Sequence, residues 1–306
     1  MTPTAPAPMT RRLLLPLPGS EVFGAHLAAA GGFELAGLES RRFPDGERYV
    51  RIEGDPRGRA VDVVCSDAGE QFLTVAFAAD ALRDMGAAEV NLVAPYLGYM
   101  RQDARFRPGE AVTSRTFARL VSSVVDRLVT VDPHLHRFGS LAELYDIPCL
   151  ALRAAPLIGD WIAREVTAPL IIGPDAESEQ WAAEIAARAG APFGVLAKRR
   201  LGDREVEIRM PDLTAHAGRQ PVLIDDIASS GRTLVAASAA LRERGFPPPV
   251  CVVVHAIFAG DAYAEVAAAS ARTVSTDTRS HASNAITVTS LVAEALTGLP
   301  HLPLAH

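Results

Sequence analysis

The chain has 306 residues, 49% of them hydrophobic and 22% charged, a composition of globular proteins that excludes a disordered or fibrous one. Its formal net charge of -6 argues against a protein that grips phosphodiester backbones, so no nucleic-acid partner is expected, although a local arginine cluster could still bind a small anion. No run approaches the ~20 apolar residues of a membrane span, so no membrane partner is expected either.

In chain order, residues 1–10 read as a flexible tail. "RRLLLPLPG" from Arg11 opens like a signal peptide, but Pro16 and Pro18 interrupt its short apolar stretch and no convincing cleavage site follows. From there short Val/Ile/Leu runs alternate with alanine-rich amphipathic stretches, the pattern of parallel α/β sheets. The stretch from Val61 reads strand, loop, helix, a stop at Gly86, strand; the stretch from Pro221 repeats that layout with its stop at Gly245. Both helices end in "LRxxG", where glycine takes the left-handed cap conformation without steric penalty. Two similar α/β domains follow, 11–150 and 151–306, joined near Pro148 and Pro156. Cys65, Cys149 and Cys251 are odd in number and far apart, as expected of reduced thiols in the cytoplasm.

The two copies differ at the tip of the first strand. The second has "DDIASSGRT", the first "CSDAGEQF". A helix starting near Thr233 directs its free N–H groups toward the preceding loop, and Ser229, Ser230 and Thr233 add hydroxyls while Gly231 admits close backbone approach. That suits a phosphate monoester. Asp225 and Asp226 suit vicinal hydroxyls or a metal instead, so the stretch describes ribose 5-phosphate.

This stretch resembles the phosphoribosyl-binding signature shared by type I phosphoribosyltransferases and ribose-phosphate pyrophosphokinases, and by itself it does not separate them. "RRFPDGERYVRI" from Arg41 and "APYLGYMRQDARF" from Ala94 do, since they are similar to the pyrophosphokinases' F-x-D-G-E and P-Y-x-x-Y-x-R-Q-D segments. The resemblance implies a fold of two similar phosphoribosyltransferase-like domains, an N-terminal one for ATP binding and oligomerisation and a C-terminal one for ribose 5-phosphate. It implies that Phe43 stacks on adenine with Asp45, Gly46 and Glu47 at the base edge, at a neighbouring subunit's ATP, and that Arg101 and Gln102 bind ATP. An aromatic face suits a purine and a guanidinium suits a polyphosphate. "VTVDPHLHRFG" resembles the D-x-H segment, so Asp132 and His134 are expected to hold Mg2+, with Asp132 the better ligand on chemical grounds and His136 a bystander.

Asp175 matches the aspartate of x-P-D-x-G, near metal and ribose, although Ala176, Glu177 and Ser178 replace a loop that is usually glycine-rich. Lys198, Arg199 and Arg200 match K-R-R, implying catalysis by Lys198 with Arg199 and ribose 5-phosphate binding by Arg200, with a mobile flap beyond. Arg232 stands where many family members have glycine and is assigned with its loop to ribose 5-phosphate. The implied activity is diphosphoryl transfer from ATP to ribose 5-phosphate in a cytoplasmic homo-oligomer, dimers built into hexamers. A phosphoribosyltransferase or a catalytically silent regulatory subunit are the alternatives.

Overall fold

The computed structural model describes residues 12–175, 178–200, 206–209, 211–300 and 302, with backbone only for 197–200 and 206–209. The contacts divide the chain into two compact units, residues 1–152 with 289–306, and residues 153–288.

The first unit opens with β1 (Leu13–Pro16), α1 (Glu21–Gly31) and the short β2 (Glu34–Leu35), then a hairpin of β3 (Gly37–Arg42) and β4 (Arg48–Glu53). It continues through β5 (Ala60–Val64), α2 (Phe72–Asp84), β6 (Glu89–Ala94), α3 (Thr113–Ser122), β7 (Arg127–Val131) and β8 (Cys149–Leu152). The sheet order is β2-β1-β5-β6-β7-β8, with every pairing parallel. Strands β5, β6 and β7 are buried along their whole length, which is why they read as unbroken apolar runs without alternation.

The second unit holds α4 (Ala155–Glu165), β9 (Pro169–Gly173), α5 (Glu179–Ala189), β10 (Phe193–Val195) and a second hairpin, β11 (Ala197–Arg200) with β12 (Val206–Arg209). It is completed by β13 (Gln220–Ala228), α6 (Arg232–Glu243), β14 (Val250–Ala256), α7 (Ala262–Ala269), β15 (Arg272–Thr276) and β16 (Asn284–Ile286). Its sheet runs β10-β9-β13-β14-β15-β16, again parallel throughout. Position for position this is the order of the first sheet, and each unit has an antiparallel hairpin after its short edge strand, β3–β4 after β2 and β11–β12 after β10. The expected duplication is therefore real, and it extends to the hairpins. Gly86 and Gly245 follow α2 and α6 with φ of 88° and 82°, the left-handed stops expected of "LRxxG".

The last helix, α8 (Thr289–Gly298), packs on α1 in the first unit, burying Val292, Ala293 and Leu296. The sequence reading assigns this segment to residues 151–306; an apolar stripe says that a helix is covered, not which sheet covers it. Beyond α8, Pro300 and Leu302 are tied to the first unit, where the Arg127 guanidinium donates to the carbonyl of Pro300 at 2.9 Å and the Leu302 N–H donates to Glu89 Oε2 at 3.1 Å. Arg12 donates twice to the fully buried Asp62, at 2.7 Å each, and Asn91 donates to the same carboxylate at 2.9 Å. These three donated bonds let the Asp62 carboxylate sit inside the sheet.

All three cysteines are free, and burial pushes the thiols of Cys65, Cys149 and Cys251 each up to about 12. The thiolate is the reactive form, so at pH 8 the native protein should react with a disulfide reagent at a small fraction of a free cysteine's rate. Unfolding in guanidinium should release three fast thiols; a fast thiol in the native protein would contradict this packing. Among the described residues no helix is long and apolar enough to cross a membrane.

Candidate active site

Both sheets change winding direction at one place. In the second unit the chain leaves β9 toward β10 on one side and leaves β13 toward β14 on the other, so a crevice opens at the carboxyl ends of β9 and β13. Open α/β sheets bind ligands at such switch points. Asp175 follows β9, and Ser229, Ser230 and Gly231 follow β13. The hairpin β11–β12 springs from the carboxyl end of β10, where the Leu196 N–H donates to Gly173 O at 2.9 Å, and β12 runs against α6. Three separated sequence segments thus leave the same edge of one sheet. Lys198, Arg199 and Arg200 belong to β11, with Lys198 opposite Ile208. Their side chains lie outside the described residues, as do Ala176, Glu177 and the flap residues 201–205.

The strand β13 runs through both acids to Ala228, further than the sequence suggests, because β14 is long enough to pair with it as far as Ala256. Asp225 and Asp226 are half-buried near the carboxyl end of β13. The Ile227 N–H donates to Asp226 Oδ1 at 2.7 Å. Helix α6 starts at Arg232, one residue ahead of the expected Thr233, and its first intrahelical bond runs from the Val235 N–H to Gly231 O at 3.0 Å. The N–H groups of Arg232, Thr233 and Leu234 therefore lie in the first turn with no carbonyl of the helix to accept them, the arrangement that favours an anion. Arg232 and Ser230 are exposed, Ser229 and Thr233 half-buried.

Gly231 is needed for a local reason. Its φ is +66°, and an added Cβ would lie 2.6 Å from Val266 Cγ2 and 3.3 Å from Ala262 O on α7. Asp175 is held by Ser178, whose N–H donates to Asp175 Oδ1 at 3.3 Å and whose hydroxyl donates to Asp175 O at 2.5 Å. A Cβ at Gly173 would meet that hydroxyl at 2.4 Å. Ser178 thus shapes the turn where the sequence departs from the glycine-rich pattern.

The same switch point in the first unit is lined differently. After β5, the Ser66 N–H donates to the buried Ser20 Oγ at 2.9 Å, and the loop carries its own acid, Asp67. Tyr99, with φ of 61°, lays its ring over Gly69, where an added Cβ would meet Cε2 at 2.8 Å. The copy without the paired acids also lacks the hydroxyl-rich loop.

The residues expected to meet ATP are all in the first unit. Phe43 to Glu47 form the tip of β3–β4: the Phe43 N–H donates to Glu47 O at 2.8 Å, the Glu47 N–H to Asp45 Oδ1 at 3.0 Å, and Gly46 takes a φ of 94°. Phe43 is 38% exposed and sits edge-on to Tyr49 with ring centroids 5.9 Å apart, while the Arg41 guanidinium lies 4.7 Å from the Phe43 centroid. Arg101 is exposed and Gln102 half-buried on the loop after β6. Asp132 follows β7 with a φ of 36°, an uncommon conformation for a residue with a side chain, and the His134 and His136 rings stack with centroids 6.0 Å apart.

Among the described residues no three His, Cys, Asp or Glu side chains cluster as a metal cage. Magnesium needs none, because it commonly takes one or two carboxylates together with substrate phosphates. Asp132, and Asp175 in the second unit, are donors of that kind; His134 is a nitrogen donor and a poorer one. Sequence reasoning gives no role to Asp103 or Arg137, although Arg137 donates to Asp103 Oδ1 at 3.2 Å.

A family model described as the N-terminal domain of ribose phosphate pyrophosphokinase matches residues 13–124, and one described as the phosphoribosyl transferase domain matches residues 140–292. The ribose-phosphate pyrophosphokinase of Methanopyrus kandleri is 36% identical over 281 residues, 90% of this chain and 95% of its own. That of Methanothermobacter thermautotrophicus is 34% identical over 267 residues, 86% of this chain and 92% of its own. The crystal structure of phosphoribosylpyrophosphate synthetase from Mycobacterium smegmatis has the same fold, with a TM-score of 0.81 at 22% identity over 94% of this chain and 98% of that one.

Proposed function

The chain belongs to the ribose-phosphate pyrophosphokinase family, and from that premise we propose that it transfers the diphosphoryl group of ATP to the C1 hydroxyl of ribose 5-phosphate, giving 5-phosphoribosyl 1-diphosphate and AMP. The observation that carries this reading is the convergence of three segments on one sheet edge: Asp175, the hairpin bearing Lys198 to Arg200, and the stretch from Asp225 to Thr233. The first turn of α6, with the hydroxyls of Ser229, Ser230 and Thr233, takes the 5-phosphate; Arg232 and Arg200 add positive charge to it. Asp225 and Asp226 accept hydrogen bonds from the ribose hydroxyls. In the first unit Phe43 stacks on adenine, Asp45, Gly46 and Glu47 address its edge, and Arg101 and Gln102 hold the polyphosphate.

The sugar hydroxyl attacks the β-phosphorus, the bond to the bridging oxygen breaks, and its electron pair leaves with AMP. Lys198 and Arg199 are assigned to the charge that grows on that oxygen, and fixed cations are the main resource for such a step. Asp132 and His134 in the first unit, and separately Asp175 in the second, would each offer a ligand to magnesium, which would supply neutralising charge for the phosphates. The same reading extends to a cytoplasmic homo-oligomer in nucleotide biosynthesis, in which one subunit's Phe43 turn serves its neighbour's ATP.

The test is product identity. Incubation with ATP, Mg2+ and ribose 5-phosphate should release AMP, not ADP, and only when the sugar phosphate is present. ADP as the product would make the protein an ordinary kinase, and nucleotide formed from phosphoribosyl pyrophosphate and a free base would make it a phosphoribosyltransferase.

A further inference from the structure

Two long loops leave the carboxyl ends of the adjacent parallel strands β6 and β7, residues 95–112 and 132–148. The first carries Arg101 and Gln102, the second Asp132 and His134. At their bases a backbone bond joins them, from the Val131 N–H to Pro95 O at 3.3 Å. Further out, side chains do. Arg137 Nε donates to Asp103 Oδ1 at 3.2 Å, His136 Nδ1 lies 3.9 Å from Asp103 Oδ2, and the Arg137 guanidinium stands 5.8 Å from the centroid of Phe106. All three contacts cross from one loop to the other.

Asp103 is the centre of this set. It is 8% exposed, between exposed neighbours Arg101, Arg105, Phe106 and Arg107. Its Oδ2 is buried and accepts no hydrogen bond among the described residues. A half-satisfied buried carboxylate is a poor choice for a residue that only stabilises a loop, since a well-packed apolar side chain would serve better. The same Oδ2 points toward His136, whose ring stacks on His134 at an interplanar angle of 25°. His134 and His136 are alternate residues of one chain segment, so a contact that fixes the second ring also fixes the first.

We infer that Asp103 is a positioning residue which, through His136 and Arg137, locks the loop of Arg101 and Gln102 to the loop of His134. His136 then has a function, as the intermediate between the carboxylate and the His134 ring. This rests on the proposed assignment of both loops to the nucleotide, and it adds that the two loops bind as one unit.

The test uses Asp103→Asn, which keeps size and one acceptor oxygen but removes the charge, and His136→Gln, an exposed position where folding is not at stake. For each, KM for ATP, KM for ribose 5-phosphate, kcat and melting temperature are measured, and binding of a non-hydrolysable ATP analogue with Mg2+ is followed by calorimetry without the sugar phosphate. Both substitutions should raise KM for ATP and weaken analogue binding about tenfold, the usual scale for residues that orient a ligand-binding group, with KM for ribose 5-phosphate unchanged. The double variant should be no weaker than either single one, because both cut the same connection. Wild-type analogue binding in either single variant, additive losses in the double, or equal rises in both KM values with a lowered melting temperature would overturn the inference. AMP release by the wild-type protein decides the proposed activity separately from these binding comparisons.

Discussion

Replacement of Lys198 by alanine lowers turnover about 10²- to 10³-fold while leaving the affinity for ribose 5-phosphate within about threefold of wild type. Lys198 is the second residue of β11, and its hairpin rises from the sheet edge that also presents Asp175 and the Ser229 to Thr233 loop. Three consecutive cations repel one another, so an anion is their natural partner, and the most demanding anion in the reaction is the oxygen that leaves with AMP. Charge on that oxygen exists in the transition state and not in bound substrate, so removing the ammonium acts on kcat. Lys198→Arg keeps the charge but replaces a compact ammonium with a planar fork, and should recover part of the rate only. AMP release at saturating substrates, with equilibrium binding of ribose 5-phosphate, checks both halves. Equal losses in turnover and in sugar-phosphate binding would reduce Lys198 to a binding residue.

Local signals carried most of what the sequence made legible. The buried parallel strands announce themselves as apolar runs, Gly86 and Gly245 stop their helices as "LRxxG" requires, and the acids, hydroxyls and glycine of the 225–233 stretch lie within nine residues of one another. What escaped depends on distant partners. The stripe Val292, Ala293 and Leu296 could cover either sheet, and its packing on α1 is decided by shape. Tyr99 lays its ring against Gly69 from a loop thirty residues further on, so the sequence shows that the paired acids are absent from the first copy but not that a ring meets its loop. Asp103 and Arg137 have no role in the sequence reading, and His136 stands there as a bystander, because their pairing joins two loops that only the parallel alignment of β6 and β7 brings together.

Replacement of Gly231 by alanine should damage the second unit in two separable ways. The residue has a φ of +66°, where a side chain costs about 1–2 kcal/mol. Its Cβ would also lie 2.6 Å from Val266 Cγ2 and 3.3 Å from the Ala262 carbonyl, an overpacking that costs a further 1–3 kcal/mol or so. Together these lower the melting temperature by roughly 5–15 °C. The strain falls where the backbone turns into α6, so relieving it moves the N–H groups of Arg232, Thr233 and Leu234 away from the phosphate. KM for ribose 5-phosphate should then rise about tenfold or more, while KM for ATP holds. Val266→Ala separates the two causes, because it makes room for the new methyl and leaves φ untouched. Set against the Val266→Ala single variant, the double variant should regain the part of the stability due to the clash and keep the part due to the left-handed backbone. If KM recovers with it, the clash had displaced the loop; if KM stays high, the conformation of residue 231 itself sets the anion site. A Gly231→Ala protein with a lowered melting temperature but a wild-type KM for ribose 5-phosphate would mean that this loop serves packing alone and that the phosphate sits elsewhere.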